Sequence, residues 1–213
     1  MSAGDTDRRP GPTGAVDTGD TDRRPGPAGA LDAGGTPVPW ARPAPSAAGV
    51  VLARARWPEG GDGPPAPVPG FVHSGFAPLV VAVADRCLRR RYGAGPLPAG
   101  NRTAVLLVSA SGDRASAAHV RATVAAGGRV GPLFFFQSVP NSVAGHVAAR
   151  WGLDGPVVCL SPTGDAWEAG AAEADLLLYD GDAGQVLLVL IEQASDGTPD
   201  EATAVLLGEG TRQ

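Results

Sequence analysis

The chain has 213 residues, an ordinary size for one domain, and a formal net charge of −5, which excludes nonspecific nucleic-acid binding as an expectation. No apolar run approaches the roughly 20 residues of a membrane span, and the N-terminus lacks a basic-then-apolar signal segment, so a cytoplasmic protein without membrane attachment is expected. Cys87 and Cys159 are the only cysteines and both fall in apolar patterns, which favours buried thiols over a disulfide or a metal pair.

The 31 Gly and 21 Pro concentrate before about residue 70. A polar segment, Gly4 to Pro12, recurs as Gly19 to Pro27. Two short copies without an apolar face cannot stack or offset their ordering entropy. Residues 1–46 are therefore expected to be a disordered low-complexity tail, with one domain over 47–213. Val50-Val51-Leu52 is a short strand candidate, followed by a Pro/Gly loop to about Gly70. Phe76 to Arg91 reads as a helix, because Phe76, Leu79, Val80, Val83, Cys87 and Leu88 repeat at spacings of three and four. Arg89, Arg90 and Arg91 suit its C-terminal dipole, and Gly93 suits its stop.

Thr103 to Ser109 is a continuous apolar run, the signature of a strand covered on both faces. Ala115 to Ala126 is predicted helical. Asn141 or Ser142 is the expected cap of a helix to Arg150, with Gly152 beyond its end. Pro156 to Leu160 reads as a buried strand. Asp165 and Glu168 stand at capping-box spacing before a helix to about Tyr179. Val186 to Ile191 and Ala202 to Leu207 are the last two strands. Strands alternating with helices give an α/β fold with a mainly parallel sheet.

Three stretches carry a family likeness. Pro140-Asn141-Ser142 is followed by Ala144-Gly145, Gly152-Leu153-Asp154-Gly155-Pro156 comes next, and Ala174-Asp175-Leu176-Leu177 with Gly181 and Val186 to Glu192 follows. In this order and spacing the run resembles the N-terminal domain of the β-ketoacyl synthases, over about residues 71–208. The resemblance implies a thiolase-like half, a mainly parallel mixed sheet flanked by helices. It also implies that Val157, Val158, Cys159 and Leu160 line a dimer interface, pairing with the same strand of a second subunit. In the family a nucleophilic cysteine follows at a strand-to-helix elbow. Counting eight residues on from Pro156 reaches Gly164, which has no side chain to attack a thioester.

The lost cysteine resembles the chain-length-factor subunits, which pair with active ketosynthases in bacterial polyketide or fatty-acid-type pathways. The segment corresponds to one of the family's two pseudo-repeated halves; the histidines of the other half are not expected here. The implied role is a non-catalytic accessory subunit, partnered by a full-length ketosynthase or a second copy of itself. Phe134, Phe136, Thr163, Gly164 and Asp165 would then face an interface or acyl tunnel. Arg86, Arg89, Arg90 and Arg91 form the densest basic patch, where an acidic acyl carrier protein could dock. No cofactor and no metal are expected.

Bland readings stand beside these. Leu133 to Phe136 reads first as core or interface packing, and the arginines as a helix end satisfying its dipole. Gly164 reads as backbone freedom at a corner, and Ala144-Gly145 as a close approach between backbones. An alternative function is an acyl-thioester-processing enzyme using Ser161, Thr163 or His146, with each hydroxyl needing a base within hydrogen-bond reach. Another is a degenerate ketosynthase fragment without activity.

Overall fold

A computed structural model describes residues 49–194 and 200–209. The expected tail, its duplicated segment and the boundary at residue 46 lie outside the described residues. In chain order the elements are β1 (Gly49–Trp57), α1 (Phe76–Tyr92), β2 (Thr103–Val108), α2 (Arg114–Ala125) and α3 (Pro132–Ser138). They continue with α4 (Pro140–Trp151), β3 (Val157–Leu160), α5 (Ala166–Tyr179), β4 (Gln185–Glu192) and β5 (Glu201–Glu209).

One five-stranded sheet runs β1-β5-β4-β2-β3. β2 pairs in parallel with both β3 and β4, while β5 is antiparallel to β4 and β1. Four strands therefore share one direction, and β5 alone opposes them. The continuous apolar runs behave as expected of doubly covered strands: every residue of β2 is buried, as are five of the eight in β4.

Alternation along the strands splits the core in two. Val105, Leu107, Leu187, Val189, Ile191 and Leu206 face α1 and α4. Ala104, Leu106, Val108, Val186, Leu188, Val205 and Leu207 face α5. Helix α1 keeps its predicted face, burying Phe76, Leu79, Val80, Val83, Cys87 and Leu88, and ends at Gly93 with φ 77°. Asp85 ties α1 to α4: its Oδ1 accepts from Trp151 Nε1 at 2.6 Å, and Arg150 lies 3.0 Å from its other oxygen.

Several expectations are corrected. β1 extends to Trp57 because Ala53 to Trp57 pair with β5 across a bulge near Leu52. An alternating Ala-Arg stretch on an edge strand lacks the apolar density of a buried one. Helix α4 begins at Pro140, whose missing N–H costs nothing at the first turn. Val139 is its cap residue and makes no side-chain bond, so neither Asn141 nor Ser142 caps it. The Ser142 hydroxyl instead donates to the Phe136 carbonyl. β3 is an edge strand, with Val157 exposed and Val158 to Leu160 half-buried.

One glycine reading also changes. A Cβ on Gly145 would meet nothing within 4 Å, so this glycine makes no close approach. The tight contact is at Gly155, where a Cβ would lie 2.6 Å from Ala104 N and from Thr103 C. There the turn into β3 presses against the start of β2, and only a hydrogen fits.

Candidate functional site

Because β2, β3 and β4 are parallel, their C-terminal ends meet at one edge of the sheet, where open α/β folds place their ligand crevices. Three exits converge there: 109–113 leads into α2, 161–165 leads into α5, and Glu192-Gln193 leaves β4. They are stitched together by hydrogen bonds. Ser109 N donates to Leu160 O at 3.1 Å, and Ser161 Oγ donates to Ala110 O at 3.4 Å. The Glu192 carboxylate accepts from Ala110 N at 3.0 Å and from Ser111 Oγ at 3.4 Å. Gln193 Oε1 accepts from Arg114 N at 2.9 Å.

Two aspartates set the helices leaving this edge. Asp113 Oδ1 accepts from Ser116 N at 3.0 Å, capping α2. Asp165 Oδ1 accepts from Glu168 N at 2.7 Å, capping α5 at the predicted spacing. Gly164 immediately precedes that cap, at the strand-to-helix corner where the count from Pro156 places it. It is exposed, its φ is not in the left-handed region, and a Cβ there would meet nothing within 4 Å. Neither backbone freedom nor crowding requires a glycine, so the earlier reading of this residue fails. The corner has room for a side chain and carries none.

The neighbouring nucleophile candidates are not activated by the described residues. Thr163 and Ser161 are exposed. His146 is half-buried on α4 with its ring edge-on to Phe71, 5.8 Å between centroids. No hydrogen bond joins it to either hydroxyl among the described residues. The Cys159 thiol, half-buried on β3, is pushed up to about 11 by burial, and Cys87 to about 12 by the same cause. Both are neutral thiols at pH 7. No group of three or more His, Cys, Asp or Glu among the described residues could hold a metal.

The phenylalanine run forms α3, and the core reading of it is overturned. No residue of this helix is buried; Leu133 is 84% exposed, and Phe135 and Phe136 are each 65% exposed. Phe134 is half-buried against His119, with ring centroids 4.8 Å apart. Val72, also exposed, adjoins this face, and its N–H donates to Gln137 Oε1 at 2.9 Å.

The arginine patch is largely engaged within the chain. Arg86 pairs with Asp62 at 2.7 Å and stacks 4.3 Å over the Trp57 ring. Arg90 pairs with Glu59 at 2.6 Å. Arg89 stands 3.9 Å from Asp85, and Arg91 lies over the Tyr92 ring.

Sequence reasoning missed the part played by 109–113 and by Glu192 in joining the strand exits. The small polar run Ser109-Ala110-Ser111-Gly112-Asp113 after a fully apolar strand was the available signal, since parallel strands end where ligand loops begin.

Residues 75–203 match the model of the β-ketoacyl synthase N-terminal domain. The chain belongs to this family. In three dimensions it resembles a chain from a ketosynthase in complex with its chain length factor from Xenorhabdus doucetiae. The TM-score is 0.60 at 20% identity, over 76% of this chain and 79% of that one. It also resembles the ishigamide ketosynthase/chain length factor, with a TM-score of 0.53 at 18% identity over 67% and 46% of the two chains. A β-ketoacyl synthase from Burkholderia phymatum STM815 matches with a TM-score of 0.58 at 17% identity, over 71% and 47%.

At these identities the likeness is one of fold. The fold is thiolase-like, with five strands flanked by helices. The match spans about half the length of the second and third structures, and the first covers similar shares of two chains of comparable length. No curated protein matches the chain.

Proposed function

We propose that this ketosynthase-family chain is a chain-length-factor-like accessory subunit that performs no condensation itself and pairs with a full-length ketosynthase. One observation carries the reading: the corner that would bear the nucleophile holds Gly164, unhindered and without a side chain. Cys159 does not replace it, because its thiol is neutral and sits on a strand.

The surfaces support partnership. β3 is an edge strand: Pro156 O and Leu160 O accept from β2, which turns the N–H and C=O of Val157 and Cys159 outward, open to a partner strand. Leu133, Phe135 and Phe136 form an exposed apolar face of the kind that marks interaction sites. Structures similar in fold include a ketosynthase bound to its chain length factor. In this reading Thr163, Gly164 and Asp165 look toward the partner or its acyl tunnel. Phe134 and Phe136 help to wall it, in a bacterial polyketide or fatty-acid-type pathway of the cytoplasm. Carrier-protein docking would draw on Arg89 and Arg91 more than on Arg86 and Arg90, whose guanidinium groups are held by Asp62 and Glu59.

The test is co-expression with the full-length ketosynthase encoded nearest to it, followed by size-exclusion chromatography with mass determination. A stable heteromer that condenses acyl units only when both chains are present is expected. A monomer that ignores the ketosynthase, or condensation by this chain alone, would overturn the reading.

A further inference from the structure

Helices α2 and α3 have little of their own to hold them. α2 buries only Ser116, and α3 buries nothing. A helix of 12 residues is marginal in isolation, and segments with few buried apolar contacts open at low free energy. What fastens their middles is a cluster of rings. His73, in the segment before α1, stacks on His119 of α2 with centroids 4.3 Å apart and planes 13° from parallel. Phe134 of α3 lies 4.8 Å from His119 and 6.2 Å from His73. His73 holds φ at 65°, a left-handed conformation that is uncommon for any residue but glycine. The stack is therefore formed against a backbone preference.

The charged groups around the pair can be named. At the start of α2, the cap Asp113 is taken up by Ser116, and the Arg114 guanidinium donates to Gln193 O at 3.3 Å, while Arg121 stands two residues past His119. Arg129 lies in the turn between α2 and α3. Neither α3 nor the 68–75 segment carries a carboxylate, lysine or arginine. Asp62 and Asp200 line the same cleft as His73; Asp62 is paired with Arg86 at 2.7 Å, and Asp200 is occupied by Gln193 Nε2 at 3.1 Å and Ala194 N at 2.9 Å. His146 meets Phe71, two residues before His73, by its ring edge. No ion pair among the described residues fixes a charge on either stacked histidine.

We propose that His73, His119 and Phe134 form a proton-sensitive latch: with at least one imidazole neutral, the stack pins α2 and α3 to the segment before α1, and double protonation parts them. Histidine is the side chain whose ordinary range lies between pH 5 and 8. A first proton leaves a cation against neutral rings, which remains attractive. A second places like charges one stacking distance apart, where they repel. The latch rests on this ring geometry and not on the subunit role proposed above. If α3 is also the partner face, its release would change how Leu133, Phe135 and Phe136 are presented.

Two measurements on the full chain test it, independent of any partner. The first is the ring carbon–proton NMR titration of His73 and His119, assigned with single variants. The second is amide hydrogen exchange at pH 7.5 and pH 5, corrected for intrinsic rates. In the wild-type chain the amides of 114–125 and 132–138 should exchange roughly tenfold faster at pH 5, while α1 and α4 do not change. His119→Phe, which keeps a ring but cannot take a proton, should retain protection at both values. His119→Ala should lose it at both. Independent titration of the two rings, unchanged exchange between the two pH values, or the same pH response in His119→Phe would each overturn the latch.

Discussion

Arg86 and Asp62 are joined by two parallel hydrogen bonds, 2.7 Å from Nη1 to Oδ2 and 2.9 Å from Nη2 to Oδ1. The same guanidinium donates to Arg56 O and covers the Trp57 ring, so one side chain of α1 fastens both the end of β1 and the loop that follows. The Asp62 carboxyl is held below its ordinary range, first by its hydrogen bonds to Arg86 and then by the Glu59 N–H. Glu59 is lowered chiefly by Arg90. A carboxylate whose folded value is depressed adds stability above its unfolded value, about pH 4, and loses it as pH falls through the folded value. Asp62→Asn should therefore lower Tm at neutral pH. It should also flatten the fall in Tm between about pH 5 and pH 3 relative to the wild-type chain. Thermal unfolding across that window measures both effects. An equally steep fall in the variant would remove Asp62 from the account.

Two glycines nine residues apart should respond differently. Gly155→Ala drives a Cβ to 2.6–2.7 Å from backbone atoms of Thr103 and Ala104, which cannot rotate away. Gly155 N also donates to Thr103 O at 3.1 Å, so relieving the clash strains that bond. A loss of about 2–3 kcal/mol or more is expected. Gly164→Ala has open space and should stay within about 0.5 kcal/mol of the wild-type chain. Urea titrations compare the two directly.

The fold was legible where the signals are dense. The all-apolar β2 and β4 and the amphipathic α1 could be read because burial on two faces, or on one helical stripe, leaves unambiguous periods in sequence. Asp165 gave the start of α5 because a cap residue and its N3 partner sit at fixed spacing. The longer β1 was hidden because its outer residues face solvent on an edge, where alanine and arginine serve as well as valine. α3 was not read because its apolar residues do not point into the body of the chain. A run such as Leu133 to Phe136 says that something is to be covered, not that this chain covers it. At the site, the position of Gly164 could be counted from Pro156, but the joining of the three strand exits could not. Its bonds join Ala110, Ser161 and Glu192, residues whose separation along the chain carries no local pattern.

Thiol labelling should separate the native cysteines from an introduced one. Burial holds Cys159 at about 11 and Cys87 at about 12, so the native chain should react slowly with an aromatic disulfide reagent at pH 7.5 and yield two thiols only on unfolding. Gly164→Cys places an exposed thiol one residue before the α5 cap, where the helix N-terminus favours the thiolate. One fast-reacting thiol per chain is expected from this variant under native conditions. Fast labelling of the wild-type chain would show that β3 or the α1 core opens far more readily than its packing implies.

The final prediction separates the two surfaces offered to a partner. Phe136 is 65% exposed, so Phe136→Asp should leave monomer stability within about 0.5 kcal/mol. If α3 lies in the interface, the same change buries a charge in an apolar contact and should weaken association at least tenfold, about 1.4 kcal/mol or more. Val157→Pro acts on the other surface. Residue 157 turns its N–H away from β2 and opens β3, a position where proline removes only an outward donor. It should leave the fold intact while breaking a continuous sheet across the interface. Sedimentation equilibrium with the ketosynthase, beside urea unfolding of each variant alone, reads both quantities. Association lost in both variants places the partner across α3 and the β3 edge together, and loss in one alone names the surface that carries it. If neither variant alters association while both fold normally, the partner binds elsewhere and the strand-pairing arrangement is wrong.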